Sequence, residues 1–200
     1  MRLYPSEDND LKLAEKLVFS PNGLDLLKIP RGSGHSADLQ ILQNGVLVAY
    51  CELKSLRDEW LEKLLGVAKP CQIVGGARED PVFKKIRKHA NKASKQFEAL
   101  NPKRSVPNVL VFVNHDDVSK FNDLRETFTG LFHETDGSRH ATMLDTEVSL
   151  ERAKSQIDLC VWIDGKSSKV QGYFFNHCAT PDFMNQLCVL LGINPAAIQF

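Results

Sequence analysis

Asp38, Glu52 and Lys54 are the residues of this chain whose types and spacing best support chemistry. A strand repeats every two residues. Val46, Val48, Tyr50, Glu52 and Lys54 would therefore share one face, and Leu47, Ala49, Cys51 and Leu53 the other. The ends of the Glu52 and Lys54 side chains meet on a strand that otherwise carries Val, Ala and Cys. Asp38 lies thirteen intervening residues earlier, on the strand before. Two carboxylates brought together, with the Leu53 carbonyl, are hard oxygen donors of the kind that magnesium or manganese takes. A divalent cation so held stabilises charge on a phosphate and makes a nucleophile of water near neutral pH. Lys54 could orient or deprotonate that water and offset charge in the transition state. The competing reading is an exposed ion pair at a strand end, worth under about 1 kcal/mol.

The chemistry sets a condition on the turn between the two strands, Ala37–Leu42 and Val46–Ser55, which Asn44-Gly45 joins as a hairpin. A strict two-residue turn would pair Asp38 with Cys51, on the face opposite Glu52. A three-residue loop of Gln43, Asn44 and Gly45, or an equivalent bulge, puts Asp38 on the face of Glu52 and Lys54. The second arrangement is the expected one.

The elements that must position these residues follow from periodicity. The 200 residues are 42% hydrophobic with no linker, which suits one domain spanning the chain. The spacing predicts a helix over Glu7–Val18, stopped by Ser20–Gly23. It also predicts a short helix over Leu56–Leu65 and a long Gly- and Pro-rich connection up to Pro81. Between Pro81 and Leu100, Phe83, Ile86, Ala90, Ala93, Phe97 and Leu100 make one narrow buried stripe on a helix. Val106–Asn114 is a continuous apolar run, suited to a strand buried on both faces. A helix over Val118–Phe128, a polar loop over His133–Glu147, strands over Ile157–Ile163 and Val170–Phe175, and a helix from Pro181 to Leu191 complete an α/β order around a mixed sheet.

Charge narrows the partner. Lys and Arg balance Asp and Glu at 25 each, so any basic surface is local. Between Pro81 and Arg104 there are eight basic residues, Lys84, Lys85, Arg87, Lys88, Lys92, Lys95, Lys103 and Arg104, against the single acid Glu98. Lys85, His89, Lys92 and Gln96 form a stripe beside the buried one, along which a phosphate backbone could lie. Five cysteines without disulfide spacing point to reduced thiols and a cytoplasmic home, with Cys51, Cys160 and Cys188 as small core residues. The N-terminus has no apolar signal core, and no run approaches a membrane span. The weaker candidates are His133, Asp136 and His140 as metal ligands, and Asn114, His115, Asp116 and Asp117 at a strand end, with Asp117 as a helix cap. No phosphate-binding glycine loop appears, which argues against an NTPase.

Asp38, the hairpin, Glu52-Leu53-Lys54, the preceding helix, the following basic helix and the buried strand at Val109–Val113 together resemble the PD-(D/E)XK nuclease superfamily over roughly the first 115 residues. The residue before the aspartate is Ala37 where that family has proline. The resemblance implies a restriction-endonuclease-like three-layer core, a central mixed β-sheet flanked by helices. It also implies an Mg2+- or Mn2+-dependent endonuclease or exonuclease. Asp38, Glu52 and the Leu53 carbonyl would be metal ligands, joined by Glu15 if a helical carboxylate takes part, with Glu7 competing for that place. Lys54 would manage the water and Gln96 would face the site. Lys84, Lys85, Lys88, His89, Lys92 and Lys95 would bind nucleic acid, DNA before RNA. The rival expectation is a nuclease-fold module that binds nucleic acid or a protein partner without cutting, and the third a small-molecule enzyme using the strand end near Asn114. Assembly into a homodimer or a larger complex is compatible with each of these expectations.

Overall fold

Strands buried on both faces cannot alternate polar and apolar residues, and Asn108–Asn114 does not: all seven of its residues are buried. In the computed structural model, which describes residues 5–30, 39–57, 82–117, 119–133, 138–141, 147–176 and 178–195, this segment is the fourth strand, β4, at the centre of the sheet. The described elements in chain order are α1 (Glu7–Ala14), a π-turn (Glu15–Phe19), a 3-10 turn (Ser20–Asn22), β1 (Asp25–Lys28), β2 (Leu39–Gln43), β3 (Val46–Leu56), α2 (Val82–Leu100) and β4. They continue with α3 (Phe121–Thr129), β5 (Leu131–His133), β6 (Arg139–Ala141), α4 (Glu147–Gln156), β7 (Leu159–Asp164), β8 (Lys169–Phe175) and α5 (Pro181–Leu191). Six strands form one sheet in the order β1-β2-β3-β4-β7-β8, with β5 and β6 a separate hairpin. The three central strands β3, β4 and β7 run parallel, and β1, β2 and β8 pair antiparallel at the edges.

Strand parity sorts the core into two layers. Odd-numbered Val109, Val111, Val113, Leu159, Val161 and Ile163 face α1, the π-turn and α5, where Ala14, Val18, Phe19, Leu187 and Leu191 cover them. Even-numbered Leu110, Phe112, Cys160 and Trp162 face α2, α3 and α4 through Ile86, Ala90, Ala93, Phe97, Leu124, Phe128, Leu150 and Ala153. Helices thus flank the mixed sheet on both faces. Trp162, Phe174 and Phe175 lie in the core, and so do Cys51, Cys160 and Cys188 as expected.

The hairpin combines the two turn options. Asn44 (φ 52°) and Gly45 (φ 78°) make a tight two-residue turn with Gln43 opposite Val46. The register then shifts by one between Ile41 and Leu42, so that Ile41 faces Ala49, Gln40 faces Tyr50 and Leu39 faces Cys51. The bulge puts Leu39 and Ile41 in the core with Ala49 and Cys51. The even-numbered face of β2 thereby turns to the side of Tyr50, Glu52 and Lys54.

Four differences from the sequence reading have physical causes. β1 was not expected; it is a four-residue edge strand, mostly exposed, with no alternation to reveal it. The polar segment after α3 contains the β5–β6 hairpin rather than loop alone. α4 was missed because one turn-spaced set, Leu150, Ala153 and Ile157, buries it against an otherwise polar helix. α3 starts at Phe121, where the Lys120 amide donates to Asp123 Oδ2 at 2.6 Å, so Asp123 and not Asp117 caps it. Asp117 instead accepts from Lys166 at the surface. The expected helix beyond Arg57 and the connection to Pro81 lie outside the described residues, as does Asp38.

Candidate active site at the Glu52–Lys54 pair

β3 is long enough to run under α2, so its even-numbered face is covered rather than wet. Glu52 sits opposite Leu110 and Lys54 opposite Phe112 across the parallel β3–β4 ladder. Glu52 is 0% exposed and Lys54 9%. Lys54 Nζ donates to Glu52 Oε1, forming a buried ion pair rather than the exposed one of the competing reading. In low dielectric such a pair offsets its desolvation only while both members are present.

α2 supplies the opposite wall. Lys85 Nζ donates to the Arg57 carbonyl and to Asp116 Oδ2, both at 3.0 Å, which ties the start of α2 to the C-terminal ends of β3 and β4. α2 therefore runs back along the sheet antiparallel to those strands. One turn on, His89 packs its ring edge-on against Phe112, centroids 6.4 Å apart. Burial, reinforced by the charges of Lys54, Lys88, Lys92 and Lys85, pushes the His89 imidazole down to about 4. His89 is therefore neutral near pH 7. Gln96 is seven residues further, roughly 10 Å along the helix axis. Glu52 is two residues back from Lys54, roughly 7 Å along the strand. Gln96, 7% exposed, thus lies on the side of α2 turned to the sheet at about the level of Glu52 and Tyr50.

These placements revise the basic stripe. Lys85 is committed to Asp116, His89 is a neutral wall residue and Gln96 is buried. The solvent-facing cations of α2 are Lys84, Lys88, Lys92 and Lys95, spaced at three and four residues. Arg104, beyond the helix, donates to Asp158, whose Oδ2 accepts the Asn108 amide at 2.8 Å; this pair joins the starts of β4 and β7 and is not part of a phosphate track. Burial raises the Asp158 carboxyl, against the lowering by the Asn108 amide and Arg104.

The first helix brings a different acid to the sheet than the sequence suggested. Glu15 is half-buried in the π-turn on the far face from Glu52, and among the described residues it makes no ion pair or side-chain hydrogen bond. Glu7 is exposed. Asp10, 1% exposed, is the buried acid. Its Oδ1 accepts from His115 Nε2 at 2.8 Å, and its Oδ2 accepts from Ser55 Oγ and, at 3.3 Å, from Arg57 Nη2. Burial alone would raise the Asp10 carboxyl, but the hydrogen bonds from His115 and Ser55, with the charge of His115 and the bond from Arg57, hold it low. The signal was present: Asp10, Ala14 and Val18 recur every four residues, so an acid stands on the apolar stripe. Gly165 backs this cluster, since a Cβ there would come within 2.3 Å of the His115 ring.

The remaining candidates scatter. His140 is exposed, and Asp136 and the His133 side chain lie outside the described residues. Asn114 donates to the carbonyls of Asp116 and Ser119, which shapes the loop after β4. Among the described residues no group of three His, Cys, Asp or Glu side chains is placed to hold a metal ion. No helix among them is long and apolar enough to cross a membrane. What fold and site define together is an α/β protein with a six-stranded mixed sheet and a buried carboxylate–lysine pair under a basic helix. No family model, curated protein or solved structure matches the chain.

Proposed function

We propose that this chain is a metal-dependent phosphodiester hydrolase acting on nucleic acid, with DNA the first substrate to test, built on a restriction-endonuclease-like arrangement. The observation that carries the reading is the Glu52–Lys54 pair, sealed on the middle of β3. Apolar residues of similar volume would serve stability there as well or better, so a retained buried pair in a layered α/β core suits chemistry more than packing. The donor set fits a hard divalent cation: Glu52 and Asp38 carboxylates with the Leu53 carbonyl would hold magnesium or manganese. When bound, that ion supplies charge stabilisation on the phosphate and a nucleophile from water. Lys54 positions the attacking water and offsets charge on the phosphoryl oxygens, and Gln96 faces the same side from α2. His89, being neutral, adds shape and dryness without a competing charge. Lys84, Lys88, Lys92 and Lys95 hold the backbone of the strand.

A second reading, a nuclease-fold module that binds nucleic acid or a protein without cutting, is favoured by one feature: Glu52 has no exposed surface and its Oε1 is already engaged by Lys54. Cleavage and calorimetry separate the two. With magnesium or manganese, wild type should degrade labelled DNA. Glu52→Ala should abolish cleavage and weaken manganese binding, whereas Lys54→Ala should abolish cleavage but retain manganese, bound more tightly for lack of a nearby cation. A wild type inert toward DNA and RNA with both metals sinks the hydrolase reading. Salt-dependent binding that persists in that case selects the non-cutting module.

A further inference from the structure

The Glu52–Lys54 pair is closed to solvent, with Glu52 0% exposed and Lys54 9%. A phosphodiester can meet it only after part of its cover moves away. α2 belongs to that cover, and its two halves are held unequally. Among the described side chains of its first two turns, residues 83–89, one is a fully buried apolar residue, Ile86. Ala90, Ala93 and Phe97 fasten the rest of the helix into the core between α2, α3, α4 and the sheet. Lifting the whole helix would expose all four to water, whereas freeing the first two turns exposes Ile86 alone of these.

The tie on those first turns is polar. Lys85 Nζ donates to the Arg57 carbonyl and to Asp116 Oδ2, both at 3.0 Å, at the carboxyl ends of β3 and β4. Asp116 is fixed in place: its amide donates to Asn114 Oδ1 at 3.1 Å, and its carbonyl accepts from Asn114 Nδ2 at 2.9 Å. Its side chain is 1% exposed against 22% for Lys85, so the lysine is the partner that solvent can reach and that can leave. The next turn seals the pair. The His89 ring stands edge-on to Phe112, and Phe112 is the ladder partner of Lys54. The residue that closes the Lys54 end thus follows the one that fastens the helix by four positions, about 6 Å along the axis.

We propose that residues 82–89 are a gate over the Glu52–Lys54 pair, latched by Lys85 on Asp116 and the Arg57 carbonyl. Release of Lys85 unwinds these two turns, carries His89 off Phe112 and uncovers Lys54, while Ala90, Ala93 and Phe97 keep the rest of α2 in place. The gate's use in catalysis rests on the hydrolase reading above; the opening itself does not.

The test uses the full chain without metal or nucleic acid. Hydrogen exchange of the amides of residues 86–89 reads the opening, and the amides of residues 109–113, inside β4, read global unfolding. Acetylation by an N-hydroxysuccinimide ester, followed by peptide mass spectrometry, reads the uncovering of Lys54, with the exposed Lys169 as reference. In wild type Lys54 should react far more slowly than Lys169. Its rate and the exchange of residues 86–89 should both depend weakly on added urea, because two turns expose little surface, while the β4 amides depend on it steeply. Lys85→Met should speed Lys54 acetylation and the 86–89 amides by about tenfold or more, the effect expected from losing a charge-assisted hydrogen bond. Asp116→Asn should act in the same direction, and it carries the test if Lys85→Met folds poorly by circular dichroism. Lys54 as reactive as Lys169, a Lys54 rate with the steep urea dependence of the β4 amides, or a Lys54 rate unmoved by these variants overturns the gate. A chain inert toward DNA and RNA whose Lys54 is nevertheless uncovered by Lys85→Met keeps the gate and loses the hydrolase. A chain that cleaves while its Lys54 ignores Lys85→Met keeps the hydrolase and loses the gate.

Discussion

His89 offers the sharpest quantitative test of how the candidate site is built. Its imidazole is packed against Phe112 and among Lys54, Lys88, Lys92 and Lys85, and burial with these charges lowers it from 6.5 to about 4. The unfolded chain therefore binds a proton that the folded one refuses between about pH 6.5 and pH 4. A depressed folded value of this kind makes stability rise with pH across that window. The contribution is complete above about 6.5, falls by about 1.4 kcal/mol per pH unit below it, and is gone near 4. A separation of about 2.5 units makes the whole effect about 3 kcal/mol as an upper figure. His89→Gln removes the titration while keeping a neutral polar side chain. Urea unfolding of the two proteins should give nearly equal stability at pH 7, and the variant should gain by up to about 3 kcal/mol relative to wild type as pH falls to 4. Imidazole resonances followed by NMR should show a midpoint near 4 for His89. A midpoint at or above 6.5, or a stability difference flat with pH, would refute the placement of His89 as a half-buried neutral wall beside Lys54.

Three other outcomes follow. Lys54→Met should cost about 3–5 kcal/mol in urea unfolding, because it strands the fully buried Glu52 carboxylate, whereas the double variant Glu52→Leu/Lys54→Met should recover most of that loss; equal losses would mean the pair is not desolvated. Gly165→Ala should lose about 1–3 kcal/mol, since the new Cβ would stand 2.3 Å from the His115 ring and must displace it from Asp10, a loss that the thermal midpoint reports and that near-neutrality would contradict. DNA binding, if α2 carries it, should weaken with salt and weaken further in Lys88→Ala and Lys92→Ala, the salt slope shrinking by about one per lysine removed; variants indistinguishable from wild type in a filter-binding series would place the interface elsewhere.

Periodicity was enough to read the elements whose burial is strongly patterned. α2 was legible because Ile86, Ala90, Ala93 and Phe97 recur on one stripe, and β4 because an uninterrupted apolar run needs cover on both faces. Pro181 and Gly192 bracket α5 by their own backbone preferences, the glycine at φ 60°. Elements with weak or short patterns, β1, the β5–β6 hairpin and α4, exist because neighbours supply edges and cover for them. No local signal encodes those neighbours.

For the site, the sequence by itself determined the face shared by Glu52 and Lys54, since two residues apart on a strand admits no other outcome. It could not determine that this face would be dry. Only the crossing of α2 over β3 made the pair a buried one and His89 neutral, because desolvation depends on which element packs opposite. The hairpin register shows the same division. Asn44-Gly45 encodes a tight turn locally, whereas the one-residue bulge is selected by the core, which gains Leu39 and Ile41 beside Cys51 and Ala49 only if the register slips. Asp10 is the clearest case. Its position on the apolar stripe of α1 was visible in the chain, but its partners Ser55, Arg57 and His115 come from 45, 47 and 105 residues away, and long-range pairing of that kind is set by topology alone.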